Sequence, residues 1–209
     1  MRTKDPIMKW DKLADIKTME ETQKALGANG IKVIIAENGQ EAKGKALALI
    51  EKGATVMTAT STTSEQIGLN TAIDESTNLE SLRKKVMELP QSEQRVQARR
   101  INSAPDYVVG SVHAVTEDGK VVIASNSGSQ LAPYAFSASK VIWVVGTQKI
   151  VKNLDEAMKR IEEYSFKLED ERMMQAYGMH SGIRKVLIVN SEIMPERITM
   201  ILVKEKLGF

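Results

Sequence analysis

Residues 106–151 read DYVVGSVHAVTEDGKVVIASNSGSQLAPYAFSASKVIWVVGTQKIV, and this stretch decides the fold class. Two apolar strand-like runs, Tyr107–Val109 and Val121–Ala124, flank a polar turn, Thr116-Glu117-Asp118-Gly119. The second run breaks into Ser125-Asn126-Ser127-Gly128-Ser129, too polar for a core and too short for a linker, and a short helix follows. Val141–Val145 is then apolar at every position, the pattern of a strand buried on both faces. A strand, a small-residue loop and a helix start make a floor for an anionic ligand, because free N–H groups and hydroxyls converge there.

The alternation continues on both sides of this stretch. Ile7, Trp10, Leu13, Ile16 and Met19 recur at spacings of three, which predicts one amphipathic helix from Pro6 to Leu26, stopped by Gly27-Ala28-Asn29-Gly30. Residues 1–30 are therefore expected as a helical segment packed on a domain of residues 31–209. Ile31–Ala36 reads as a buried strand, Gln40–Lys52 as a helix, Ala54–Met57 as a strand and Ser64–Ile73 as a helix. Two helices follow, Leu79–Glu88 and Gln91–Ile101, separated at Pro90. Asp155–Glu163 is expected to be helical, Arg184–Val189 a buried strand and Ile198–Val203 the last strand. Such alternation predicts an α/β sheet covered on both faces, with the Ala114–Val122 hairpin as an antiparallel element that makes the sheet mixed.

With 209 residues and 42% hydrophobic content, the chain can bury a sizeable core. Its 29 basic and 27 acidic residues are interspersed and sum to +2, so no basic stripe points to nucleic acid. The absence of cysteine excludes thiolate zinc sites, a cysteine nucleophile and cysteine-ligated iron–sulfur clusters within this polypeptide. Two histidines, His113 and His180, leave little for a transition metal, and no metal site is expected. The first strand is not followed by Gly-x-Gly-x-x-Gly, and no phosphate-loop motif occurs, so neither a nicotinamide nor a flavin fingerprint is present. The charged N-terminus lacks the apolar run of a signal peptide and no stretch reaches membrane-spanning length; residence in the cytoplasm is expected, without a membrane partner.

Two loops carry the candidate site. Thr60-Ser61-Thr62-Thr63-Ser64 leaves a strand and opens a helix, so its hydroxyls and the helix-start N–H groups suit a phosphate or carboxylate. Thr62-x-x-Glu65 also fits a capping box, which would use those donors internally, although one cap needs only one of the five hydroxyls. The second loop is Ser125, Asn126, Ser127, Gly128 and Ser129; at the ends of neighbouring strands the two would converge over one crevice. Ser111 and His113 fall on one face of their strand, and His113 with a carboxylate such as Glu117 is the candidate proton-transfer pair, against a purely structural histidine. Arg100 and Lys149 are candidate anion contacts, or solvated surface cations.

Thr58–Leu69, Asp106–Gly119, Ser125–Ala132 and Val141–Val151 resemble the LUD domain, named for lactate utilisation, most specifically in Gly110–Gly119 and Gln148–Val151. That family is similar to ribose-phosphate isomerases, glucosamine-phosphate deaminases and CoA transferases. The resemblance implies their three-layer α/β/α Rossmann-like fold, with a crevice over these loops. Where the isomerases carry a catalytic acid, Gly110-Ser111-Val112 has valine; Glu37-Asn38-Gly39 is similar to the transferase glutamate motif but follows a different strand. The resemblance implies an accessory, non-redox component of lactate or 2-hydroxyacid utilisation that binds a small anionic metabolite. Its electron carriers would then sit on iron–sulfur partner proteins. The alternative is an independent enzyme acting on a sugar phosphate, nucleotide or acyl-CoA. A homo-oligomer is compatible with either.

Overall fold

Lys140–Gly146 (β7) lies in the middle of a six-stranded sheet and is buried from Val141 onward. The structure, a computed structural model, describes residues 9–209 apart from the side chain of Arg95. Around β7 the order is β1 (Lys32–Ala36), β10 (Ile198–Val203), β7, β4 (Tyr107–Gly110), β2 (Thr55–Thr58) and β3 (Glu80–Ser81), every pair parallel. All six residues of β10 are buried, as a continuous apolar run requires when both faces of a sheet are covered.

Side-chain alternation sorts the strands into two cores. Ile142 and Val144 pack with Ala42 and Ala46 of α2 (Gly39–Ala48), and with Leu69 and Ile73 of α4 (Leu69–Asp74). Trp143 and Val145 face the other way, toward Leu26 of α1 (Ile16–Ala28), Leu82 of α5 (Leu82–Met87), and Val121 and Ile123. Tyr134 meets Trp143 edge-on, ring centroids 5.4 Å apart, a favoured aromatic geometry. Among the described residues no helix is long and apolar enough to cross a membrane.

The hairpin is present, but it belongs to a second sheet and leaves the main sheet wholly parallel. This sheet has the order β8 (Ile150–Val151), β5 (Ala114–Thr116), β6 (Val121–Ser125) and β9 (Lys185–Val189). Val121 and Ile123 place one face on the main core, while Ala114, Val122 and Ala124 pack outward on Ala157 of α7 (Leu154–Arg160) and on Trp10. Two neighbouring strands therefore cross from one sheet to the other side by side. β4 continues through Ser111–His113 into β5, and β7 continues through Thr147–Lys149 into β8.

Several local expectations need correction. The expected single helix is interrupted: Lys9 and Trp10 are helical, residues 11–15 are not, and α1 starts at Ile16, capped by Asp15 Oδ1, which accepts from Thr18 N at 2.8 Å. Its apolar stripe is broken there: Trp10 and Met19 join different cores, Leu13 and Ile16 are exposed, and Pro6 and Ile7 lie outside the described residues. β9 is an edge strand bonded only to β6, with Val186 and Ile188 partly exposed, so it is not the buried strand expected. The Ser64–Ile73 helix is two helices, α3 (Thr62–Gln66) and α4, parted at Gly68 in the left-handed conformation. Helix α6 matches expectation at Gln91–Ile101. Past Arg160 the chain continues through a π turn, Ile161–Ser165, into α8 (Phe166–Tyr177), which sequence periodicity did not reveal because α8 has no buried residue.

Gly110 ends β4 where the chain leaves the main sheet, and a β-carbon there would press on the Tyr134 hydroxyl and lie 2.9 Å from the Ala59 methyl. Gly110→Ala is expected to destabilise the fold by about 1–3 kcal/mol through overpacking. Urea unfolding checks this; an unchanged midpoint would contradict such tight packing at the crossing.

Candidate functional site

Three adjacent parallel strands, β2, β4 and β7, end at one hollow, where open α/β sheets place their ligands. β2 delivers Thr60–Thr63, β4 delivers Ser111–His113 and β7 delivers Lys149. Ser125, Asn126, Ser127 and Ser129 enter from the opposite side, at the end of β6. The hollow measures about 340 Å³. The two hydroxyl-rich loops thus share a cavity, although the serine loop reaches it from the second sheet and not from a neighbouring strand of the first.

The Thr60–Ser64 segment is held by its own cap. Ser61 Oγ accepts from Ser64 N at 3.2 Å, so the capping hydroxyl is one residue before the one expected from Thr62-x-x-Glu65. Thr63 is buried and its Oγ1 donates to Leu207 O at 3.2 Å. Ser64 is fully buried behind the loop and does not line the cavity. In the other loop Gly128, with φ +86, turns the chain where a β-carbon would lie 2.7 Å from the Lys185 side chain, and it does not line the hollow. Gly128 N donates to Ser125 Oγ at 2.8 Å, and Asn126 Oδ1 accepts from Arg184 Nε at 2.7 Å, so this loop is partly pre-formed.

Lys149 is the least expected member. It is 2% exposed, and its Nζ lies 3.0 Å from Thr63 Oγ1, 3.1 Å from Ser111 Oγ and 3.1 Å from Val112 O. All three contacts are neutral oxygens. Burial, and then the nearby Arg160 cation, hold its amine well below the ordinary lysine pKa. Arg160 is itself fully buried and donates to His113 O at 2.6 Å and Ser165 Oγ at 2.9 Å, while its Nε and Nη2 have no hydrogen-bond partner among the described residues. Two buried basic side chains therefore stand beside one cavity without a hydrogen-bonded carboxylate.

His113 lines the same wall. Its Nδ1 accepts from Ala124 N at 3.2 Å, which places the neutral ring's proton on Nε2. Burial, then the Lys149 and Arg160 cations, push its pKa down to about 3. The imidazole is consequently a neutral donor near pH 7, poorly suited to general base work. The far wall comes from α8 and its neighbours. Ile161, Phe166, Met173, Ile183 and Phe209 are apolar there, and Arg172 is gripped by Glu169 through two 2.8 Å bonds.

Comparison with known proteins agrees with this arrangement of strands. The model of the LUD domain matches residues 19–203. The chain belongs to the LUD domain family. Among solved structures, a DUF162 family protein from Deinococcus radiodurans superposes with a TM-score of 0.57 at 11% identity, over 92% of this chain and 99% of that one. That likeness shows the fold. A structure of eIF2B beta from Chaetomium thermophilum aligns with a TM-score of 0.34 at 15% identity, over 55% of this chain and 43% of that one. No functionally curated protein matches the sequence.

Within this LUD domain the remaining candidates fall outside the cavity. Glu117 is exposed in the hairpin turn and does not line the hollow, so the His113–Glu117 pair is not assembled there. Arg100 is exposed at the end of α6. Glu37 pairs with Lys204 beyond edge strand β1, and His180 pairs with Asp170 on the surface. No group of three or more metal-ligating side chains occurs among the described residues. Sequence reasoning missed Arg160, Glu169 and Arg172. Arg160 left one signal, since it falls on the apolar stripe Ala157, Ile161, Tyr164 where a solvated arginine has no place.

The buried histidine has a consequence for stability. Its folded pKa lies below the unfolded value of about 6.5, so between those values the unfolded chain binds the proton more tightly. The His113 contribution is complete above about pH 6.5 and is lost on acidification toward pH 3, at up to about 1.4 kcal/mol per pH unit. Urea titrations from pH 7 to 4 should show this slope shrink in His113→Gln; an unchanged slope would mean that the ring titrates freely.

Proposed function

We propose that this LUD protein binds a small anionic metabolite in the cavity and serves as a non-redox component of lactate or 2-hydroxyacid utilisation in the cytoplasm. The electron carriers would reside on iron–sulfur partner proteins, since the sequence supplies no cysteine to ligate a cluster. One observation carries the anion reading: Lys149 is buried at the cavity floor with only neutral oxygens around its amine. An isolated buried cation is costly, so a carboxylate or phosphate arriving beside it balances the charge and draws a proton onto the amine. The hydroxyls of Thr60, Thr62, Ser127 and Ser129 supply neutral donors from both sides.

The alternative, an enzyme acting on a sugar phosphate, nucleotide or acyl-CoA, is favoured by size. Lactate has six heavy atoms; even at a water's share of about 30 Å³ each they would fill only about half of the 340 Å³. The apolar far wall is likewise larger than the single methyl group of lactate can cover.

A thermal-shift series with phosphate, lactate, pyruvate and a sugar phosphate is the direct test. A ligand at a hundredfold over its Kd should stabilise the fold by about 2.7 kcal/mol. The pairs Thr60→Ala/Thr62→Ala and Ser127→Ala/Ser129→Ala should each weaken that response, because the ligand would touch both loops. A response indifferent to both pairs places the ligand elsewhere, and no response to any anion defeats the reading.

A further inference from the structure

We propose that Ser111 and Lys149 form a nucleophile–base pair that attacks an activated acyl compound, an ester or thioester with an apolar acyl group, bound in the same cavity. The position of Ser111 on the cavity wall, its Oγ 3.1 Å from the Lys149 amine, carries this inference. Val112 O can only accept, and Thr63 Oγ1 has committed its hydrogen to Leu207 O, so both must accept from Lys149 Nζ. In its neutral form, the form that can act as a base, the amine has two N–H groups and one lone pair. The two acceptors use both N–H groups, and the lone pair is left for the third contact, Ser111 Oγ at 3.1 Å. The only other acceptor for the Ser111 hydrogen among the described residues is the adjacent Val112 O at 3.5 Å, the limit of a hydrogen bond. When the amine is neutral, the serine hydroxyl thus donates to it. A base within hydrogen-bonding reach of a hydroxyl, and itself oriented by further contacts, is the arrangement that activates a serine.

The setting supports the same chemistry. Burial beside Arg160 lowers the pKa of the amine well below that of an ordinary lysine, which favours the neutral form a base requires. Ser111 lines the hollow at the carboxyl end of β4, and Lys149 lies at its floor with 2% exposure. Phe166, Met173, Ile183 and Phe209 provide an apolar wall for the body of an acyl group. In the first step the Ser111 Oγ–carbonyl carbon bond forms and the bond from that carbon to the leaving alcohol or thiol breaks. The serine proton passes to Lys149 Nζ and from there to the leaving group. Water then hydrolyses the acyl-serine, releasing the acid and restoring the hydroxyl, with Lys149 again relaying the proton.

This goes beyond anion binding, with which it shares Lys149, and fails separately from it, because anion binding is read as a thermal shift weakened by the two hydroxyl-loop pairs whereas acylation is read as a covalent label on Ser111. The test is labelling of the full chain by an alkyl fluorophosphonate, in which Ser111 Oγ bonds to phosphorus and fluoride leaves, read by intact mass and peptide mapping. One label on Ser111 is expected, reaching its maximal rate well below the ordinary lysine range near pH 10. Ser111→Ala should take none, and Lys149→Met should slow labelling at least a hundredfold, the lower end of general base assistance. Hydrolysis of p-nitrophenyl butyrate should fall in parallel. Lys149→Met removes the hydrogen bonds to three oxygens and counts only where its urea midpoint shows a folded protein. The wild-type pH profile and Ser111→Ala decide the matter without it. No label on Ser111, a rate that climbs through pH 10, or folded Lys149→Met labelling at the wild-type rate would each overturn the pair.

Discussion

Lys149 ties together the parts of the molecule that have to meet for a cavity to exist. Two neighbouring strands leave the parallel sheet and enter the second sheet side by side, one through Ser111–His113 and the other through Thr147–Lys149. The Lys149 amine lies between these crossings, bonded to Ser111 and Val112 on one and to Thr63 at the start of α3. Neither sheet alone encloses the hollow. It opens because the crossings hold the second sheet over the carboxyl ends of the first, and these bonds join the crossings at one buried atom.

That arrangement has an electrostatic consequence. Arg160 reaches the same junction from α7 and donates to the His113 carbonyl, so a second basic group sits behind the wall. Burial depresses the basicity of Lys149, Arg160 and His113 alike, and each of the first two lowers His113 further. The result is a cavity of neutral hydroxyls and amides whose unbalanced field is positive. Such a site suits ligands bearing negative charge, and it also makes the Lys149 amine easier to deprotonate than a lysine in water.

The resemblance of the sequence to the LUD family holds for the whole of residues 19–203, and most strands and helices were legible from periodicity, the two-residue strands Glu80–Ser81 and Ile150–Val151 excepted. Largely apolar runs such as Val141–Val145 and Ile198–Val203 read as strands buried on both faces, and both lie in the middle of the main sheet. The expectations that failed were those in which a short pattern had to stand for a partner it could not specify. Arg184–Val189 is apolar enough to be buried, yet it pairs on one side only. Glu117 is near His113 in sequence, yet the turn carries it into solvent. Helix α8 has no buried stripe and so no periodic signal, although its side chains form the far wall of the cavity.

The sequence by itself determined which segments are apolar, where the hydroxyl-rich loops fall, and that cysteine chemistry is absent, because these follow from residue identity and local spacing. Only the tertiary structure decided that Ser111, Thr63 and Lys149 meet, and that Arg160 stands beside them. Their separations along the chain, 38 residues from Ser111 to Lys149 and 86 from Thr63, carry no local signal. A lysine on a surface and a lysine with its amine sealed among neutral oxygens have the same spelling, and the difference between them is the burial imposed when two sheets close over one another.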